Sequence, residues 1–233
     1  MNTPTQHAPN AQYNVAKPES LPIRIAGRQR RVMFQSFMNL SAVCAGDTVL
    51  DVGATSDQSY THSNYLEAWY PHKHRVTAVG IDDGQFLESL YPGMRFVRAD
   101  GRALPFPDSA FDFVHSSAVL EHVGSREEQA RFLHELWRVA RRGVFITTPN
   151  RFFPIEFHTV LPLLHWLPAP AFRTILRRIG LAFFAEESNL NLLAKSDLLQ
   201  VAAAAGVRRC QVKTVKLWGW PSNLLLIASK QAV

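Results

Sequence analysis

Apolar residues recur at helical spacing from Arg24 to about Val43, where Val32, Met33, Phe34, Phe37, Met38 and Leu40 share one side and arginines the other. That is the mark of an amphipathic helix. A regular alternation follows. Thr48–Val52 is a short apolar run ending at Gly53, which suits a buried strand, and a helical stretch over His62–Tyr70 stops at Pro71. Arg75–Ile81 predicts a second strand, Gln85–Leu90 a short helix, Arg95–Arg98 a third strand and Phe111–His115 a fourth. Ser125 and Glu128 form a capping-box pattern ahead of Phe132, Leu133, Leu136, Trp137 and Ala140, so a helix starts there. Gly143 is expected to end it, before a fifth strand over Val144–Thr148. Ser196 should cap one more helix, running to Gly206. Val207–Leu217 and Asn223–Ser229 then read as two strands joined by a tight turn at Gly219–Pro221. Strands separated by helices imply an α/β, doubly wound, Rossmann-like parallel sheet, here finished by an antiparallel hairpin.

At 233 residues with 47% hydrophobic and 19% charged positions, the chain suits one globular domain and excludes a mainly disordered one. The expected division is a loose, polar arm over residues 1–20 and a domain over 21–233 with an insertion at about 150–195. No stretch reaches ~18 uninterrupted apolar residues, so no membrane span is expected. Cys44 and Cys210 have no partner spacing; both read as buried thiols of a cytoplasmic protein. The net charge of +6 comes from scattered arginines rather than a massed stripe, which argues against nucleic acid.

In doubly wound sheets, ligands bind beyond the carboxyl ends of the strands. Asp51–Gly53, Asp82 and Asp100 end consecutive strands here. Each alone is a common turn former; together they suit a nucleoside cofactor, with Asp82 placed for ribose hydroxyls and Asp100 for an adenine edge. The loop Gly53-Ala54-Thr55-Ser56-Asp57-Gln58 lacks the glycines that cradle a pyrophosphate, and Asp57 would repel one. A cofactor carrying an ammonium and a sulfonium would be favoured by Asp57 instead, which points to S-adenosylmethionine rather than NAD.

Val49-Leu50-Asp51-Val52-Gly53, Val79-Gly80-Ile81-Asp82, Ala99 through Phe106, Phe111-Asp112-Phe113-Val114 and Leu120-Glu121-His122-Val123 together resemble the class I S-adenosylmethionine-dependent methyltransferases of the type 11 group. The resemblance implies a seven-stranded sheet with an antiparallel last strand. It implies that Asp51, Gly53 and Ala54 lie at the methionine end, Asp82 at the ribose, and Asp100, Gly101 and Arg102 at the adenine, with Ser117 flanking. Thr55 and Asp57 stand where the group usually carries glycine. That departure supports an alternative, a catalytically silent binding or scaffold protein of the same fold.

For a hydroxyl acceptor, methyl transfer needs alignment and a base. His122, after the fourth strand, is the first candidate; capping or packing is its structural reading. Glu156 and His158 share a face if their segment is extended, and could orient a hydroxyl or accept its proton. As two ligands they are too few for a metal, and none is assigned. Residues 152–184 hold seven aromatics, four prolines, Arg173, Arg177 and Arg178, and one acid. Two compatible readings follow: a lid over the site, and a peripheral membrane surface for an apolar or lipid-linked acceptor. The acceptor is therefore expected to be a small or lipid-linked molecule, methylated at oxygen.

Overall fold

The computed structural model describes residues 15–17, 20–58, 60 and 62–230. Most of the arm expected over residues 1–20 lies outside these. Seven strands form one sheet: β1 (Val49–Val52), β2 (Val76–Gly80), β3 (Arg95–Arg98), β4 (Phe111–Ser117), β5 (Ala140–Pro149), β6 (Cys210–Leu217) and β7 (Trp220–Ser229). Their order is β3-β2-β1-β4-β5-β7-β6, with β1 to β5 mutually parallel and β7 antiparallel to both its neighbours. The β6–β7 hairpin closes through Trp218 and Gly219, both at positive φ, as a two-residue turn matching the strand twist requires.

The helices are α1 (Leu21–Leu40), α2 (Tyr65–Trp69), α3 (Phe86–Leu90), α4 (Arg126–Val139), α5 (Ala169–Arg178), α6 (Ala182–Ala185) and α7 (Lys195–Ala204). They cover both faces of the sheet, which is why β1 is buried at all four positions. On one face Leu50, Val52 and Ile146 pack with Phe132, Leu136 and Leu198 of α4 and α7. On the other, Val49, Ala78 and Phe145 pack with Phe37, Tyr65 and Leu87.

Four local expectations change. The hairpin turn expected at Gly219–Pro221 falls at Trp218 and Gly219, and Pro221 lies inside β7. Gly143 lies inside β5 and ends no helix, because α4 passes directly into the strand at Ala140. Its missing side chain serves strand pairing, since a Cβ there would stand 2.7 Å from the Ala228 carbonyl oxygen on β7. Ser196 lies within α7; the cap comes from Asp197, whose carboxylate accepts the Ala194 N–H at 2.9 Å. Cys44 is exposed rather than buried, in the turn between α1 and β1.

The insertion builds a small core of its own from Phe172, Leu176, Phe184, Ala185 and Leu190. It is tied to the β4–α4 connection: Asn191 donates to the Glu121 and Gly124 carbonyls, and Gln129 and Arg126 donate to Asn191 and Leu192 carbonyls. Val15 reaches the same region, donating its N–H to the His158 carbonyl at 3.0 Å.

Candidate active site

A cavity of about 630 Å³ opens over the carboxyl ends of β1, β2, β3 and β4, where the chain leaves β1 and β4 in opposite directions along the sheet. This crevice is where doubly wound sheets take their ligands. Its floor depends on two glycines. Gly53 has φ +112°, and a Cβ there would come 2.0 Å from Cγ2 of Val119, which leans in from the β4–α4 connection. A Cβ on Gly101 would lie 2.4 Å from the Phe132 ring and 2.9 Å from Val52. In the loop after β1, Thr55 and Asp57 are not among the residues at positive φ, so their side chains cause no backbone strain. Asn64 clamps this loop from α2's start, accepting the Thr55 N–H at 2.8 Å and donating to the Thr55 carbonyl at 2.9 Å.

The charge of the cavity is acidic. Arg102 is, among the described lining residues, its one lysine or arginine, and it is engaged by Asp100 at 2.6 Å and Glu128 at 3.0 Å. Its hydrogen bond to Asp100 raises Arg102, and the same bond, against partial burial, lowers Asp100. Glu128 and Glu187 add further carboxylates to the wall. A pyrophosphate would meet net negative charge here, whereas a sulfonium or ammonium would be stabilised.

At the edge of the cavity lies a second cluster. His122 lines the cavity, and its Nε2 stands 3.0 Å from Nε2 of His158. The Glu156 carboxylate accepts four hydrogen bonds, from the N–H and Nδ1 of His158 and from the N–H and hydroxyl of Thr159. Burial works against its ionisation, but His158 and these donors outweigh it and hold Glu156 at about 2. His158 is raised, since Glu156 more than offsets burial. His122 is pushed down to about 3, first by burial and then by His158.

Comparison with known proteins agrees with this geometry. The methyltransferase-domain family of type 11 matches residues 50–147. A ubiquinone/menaquinone biosynthesis C-methyltransferase of Salmonella arizonae is 28% identical over 68% of this chain, and the chain spans 62% of that relative's length. Its counterpart in Xanthomonas oryzae is 25% identical over 77% of this chain and 73% of its own. Among solved structures, magnesium protoporphyrin IX methyltransferase from Synechocystis superposes with a TM-score of 0.56 at 16% identity, covering 94% of this chain and 91% of that one. A SAM-dependent methyltransferase from Aquifex aeolicus gives 0.55 at 15% identity, covering 91% and 99%. Residues 50–147 thus match the type 11 methyltransferase domain, and the chain has the fold of the S-adenosylmethionine-dependent methyltransferases.

The fold brings only part of the predicted site to one place. Gly53, Ala54, Thr55, Asp100, Gly101, Arg102 and His122 line the cavity. Asp51 does not: it is buried in β1, 2.5 Å from Nδ1 of His115, whose Nε2 is hydrogen-bonded to the Tyr65 hydroxyl at 3.0 Å. Asp57 is also turned inward. Ser117 pairs with Thr147 across β4 and β5 at 2.8 Å, and the lining resumes at Ala118. On β2's side the lining reaches Ile81, one residue short of Asp82. Glu156 and His158 meet not by strand alternation but in a turn, closed by Val160 N–H on the Glu156 carbonyl at 2.8 Å. Sequence reasoning missed Val119, Asn64 and Glu121. Glu121 had a signal, its place beside His122; the others carry none that spacing reveals.

Proposed function

We propose that this enzyme methylates a small apolar acceptor, free or lipid-linked, whose phenolic or enolic hydroxyl lies against the His122–His158 pair. The bound S-adenosylmethionine supplies an electrophilic sulfonium methyl. Gly53, Ala54 and Thr55 would hold its methionine end. The wall of Asp100, Gly101 and Arg102 would hold the adenine, and the end of β2 at Ile81–Asp82 would face the ribose.

One observation carries the reading. Nδ1 of His122 must be protonated, because it faces the Asn189 carbonyl at 2.6 Å; Nδ1 of His158 faces the Glu156 carboxylate at 2.7 Å and must be protonated too. Two neutral imidazoles would therefore point their Nε2 lone pairs at one another. Taking up one proton between them relieves that repulsion, so the pair accepts a proton as a unit, with His158 the stronger base. A hydroxyl deprotonated there reacts at its oxygen. The description of the two relatives as C-methyltransferases favours a second outcome, attack from the ring carbon beside the same oxyanion. Residues 150–195 would act as the lid. Exposed Phe152, Leu163, Trp166 and Leu167, with Arg177 and Arg178 nearby in sequence, would present it to an apolar acceptor or a lipid surface.

The test uses methyl-labelled S-adenosylmethionine and a quinol in anionic phospholipid vesicles, with product analysis distinguishing methoxy from ring methyl. Labelled product is expected, with His158→Ala losing about 10²-fold or more in turnover while cofactor affinity stays within a few-fold. Equal loss of both, or label on no apolar acceptor, would refute the assignment.

A further inference from the structure

The His122–His158 pair has a third member. Glu121 is fully buried, and its Oε1 has no hydrogen-bond partner among the described residues. That oxygen lies 3.9 Å from Nε2 of His122 and 4.0 Å from Nε2 of His158. A buried carboxylate oxygen left without a donor costs free energy unless something positive sits beside it. Three donor atoms thus converge on one point: two imidazole lone pairs and a carboxylate oxygen.

Each of the three is aimed by a partner behind it. His122 donates Nδ1–H to the Asn189 carbonyl, and His158 donates Nδ1–H to Glu156. Thr148 donates its hydroxyl to the other oxygen of Glu121 at 2.9 Å, turning Oε1 toward the histidines. Carbonyl- and carboxylate-backed histidines are the usual outer shell of a metal centre, because they fix Nε2 as the ligand atom. We propose that Glu121, His122 and His158 bind a divalent transition-metal ion of the zinc class. A tetrahedral ion at ~2.0–2.1 Å from its ligands spaces them about 3.3 Å apart, so the observed 3.0, 3.9 and 4.0 Å need shifts of only roughly 0.3–0.7 Å. Three protein ligands leave a fourth position, and His122 borders the cavity, so that position faces the acceptor end. Two histidines and one carboxylate suit zinc, cobalt or iron(II) and not magnesium or calcium, which prefer all-oxygen shells. Ion binding itself stands on these three residues alone. Proton and ion compete for the same two Nε2 lone pairs, so with the ion bound the pair no longer takes the proton. Only the role of the fourth position, holding the acceptor's oxygen while its proton leaves to solvent, rests on the proposed function, and there it replaces the pair's own basicity.

The experiment is calorimetric titration of the chelator-stripped full chain with Zn²⁺, repeated with Co²⁺ while its visible absorption is recorded. One equivalent is expected to bind, with a tetrahedral Co²⁺ spectrum. His158→Ala and, separately, Glu121→Gln should abolish that spectrum and weaken binding at least ~100-fold. Thr148→Val should weaken it about 10- to 100-fold by releasing Glu121. Absence of saturable binding to the wild type, or binding unmoved by both ligand variants, would overturn the proposal. S-adenosylmethionine titration of the same preparations separates the two readings. Metal bound without cofactor binding refutes the methyl-transfer reading alone, and cofactor bound without metal refutes the metal site alone. Cofactor binding by the variants also reports that they are folded.

Discussion

Gly53→Ala tests the architecture of the cofactor cavity most sharply, because its cost divides into two parts that can be separated. The first is backbone strain: φ +112° is hostile to any residue with a Cβ, at about 1–3 kcal/mol. The second is steric. The new Cβ would stand 2.0 Å from Cγ2 of Val119 and 3.4 Å from Cγ1, where carbon atoms prefer ~3.5–4.0 Å. Forcing Val119 aside adds about 1–3 kcal/mol, by analogy with overpacked cores. The single variant should therefore lose about 2–6 kcal/mol. Val119→Ala, which removes methyls from a half-buried side chain, should cost about 1 kcal/mol. In the double variant Cγ1 and Cγ2 are gone and the nearest contact relaxes to Cβ at 3.2 Å. The steric part then disappears while the φ part stays, giving a coupling of about 1–3 kcal/mol. Urea unfolding of the four proteins measures the cycle. Additive losses, or a Gly53→Ala protein as stable as the wild type, would refute the close approach of Val119.

Three further outcomes follow from single contacts. Asn64→Ala removes both bonds to Thr55, so the loop after β1 should loosen and cofactor affinity fall about 5- to 30-fold, which calorimetry can read; unchanged affinity would show that the loop holds itself. Tyr65→Phe leaves buried Nε2 of His115 without its hydrogen-bond partner and should cost about 1–3 kcal/mol in urea unfolding, with cofactor affinity intact, since both residues lie outside the cavity. Burial raises Asp51 from 3.8 to about 7, so its contribution to stability is present below pH 3.8 and is lost as pH rises through 7. Asp51→Asn should thus gain on the wild type between pH 5 and pH 8, by on the order of 2 kcal/mol, and a pH-independent difference would contradict the shift.

The fold was largely legible in the chain because local signals and burial agree. Helix α4 announces itself through Ser125, whose hydroxyl accepts the Glu128 N–H at 3.3 Å, and through an apolar stripe that does face the core. Gly143 misled because glycine after a helical pattern usually marks a C-cap, whereas here it admits the Ala228 carbonyl from a strand more than eighty residues later in the sequence. The cavity lining was legible where strand ends point directly at the crevice, as at Gly53 and Asp100. It was not legible where the partner is distant in sequence: Val119 against Gly53, or Glu128 on Arg102. The same holds for the histidine cluster. Glu156 and His158 signalled each other by proximity, but only the folded insertion carries them to Glu121 and His122.

The central claim is that an acid-lined cavity of this shape takes a cationic nucleoside rather than a phosphorylated one. Calorimetric titration of the full chain with S-adenosylmethionine, and in parallel with ATP, tests it directly. Saturable one-site binding of S-adenosylmethionine, with Kd on the order of micromolar, and no measurable binding of ATP is the predicted result. No saturable heat with S-adenosylmethionine, or ATP binding as tightly, would contradict it.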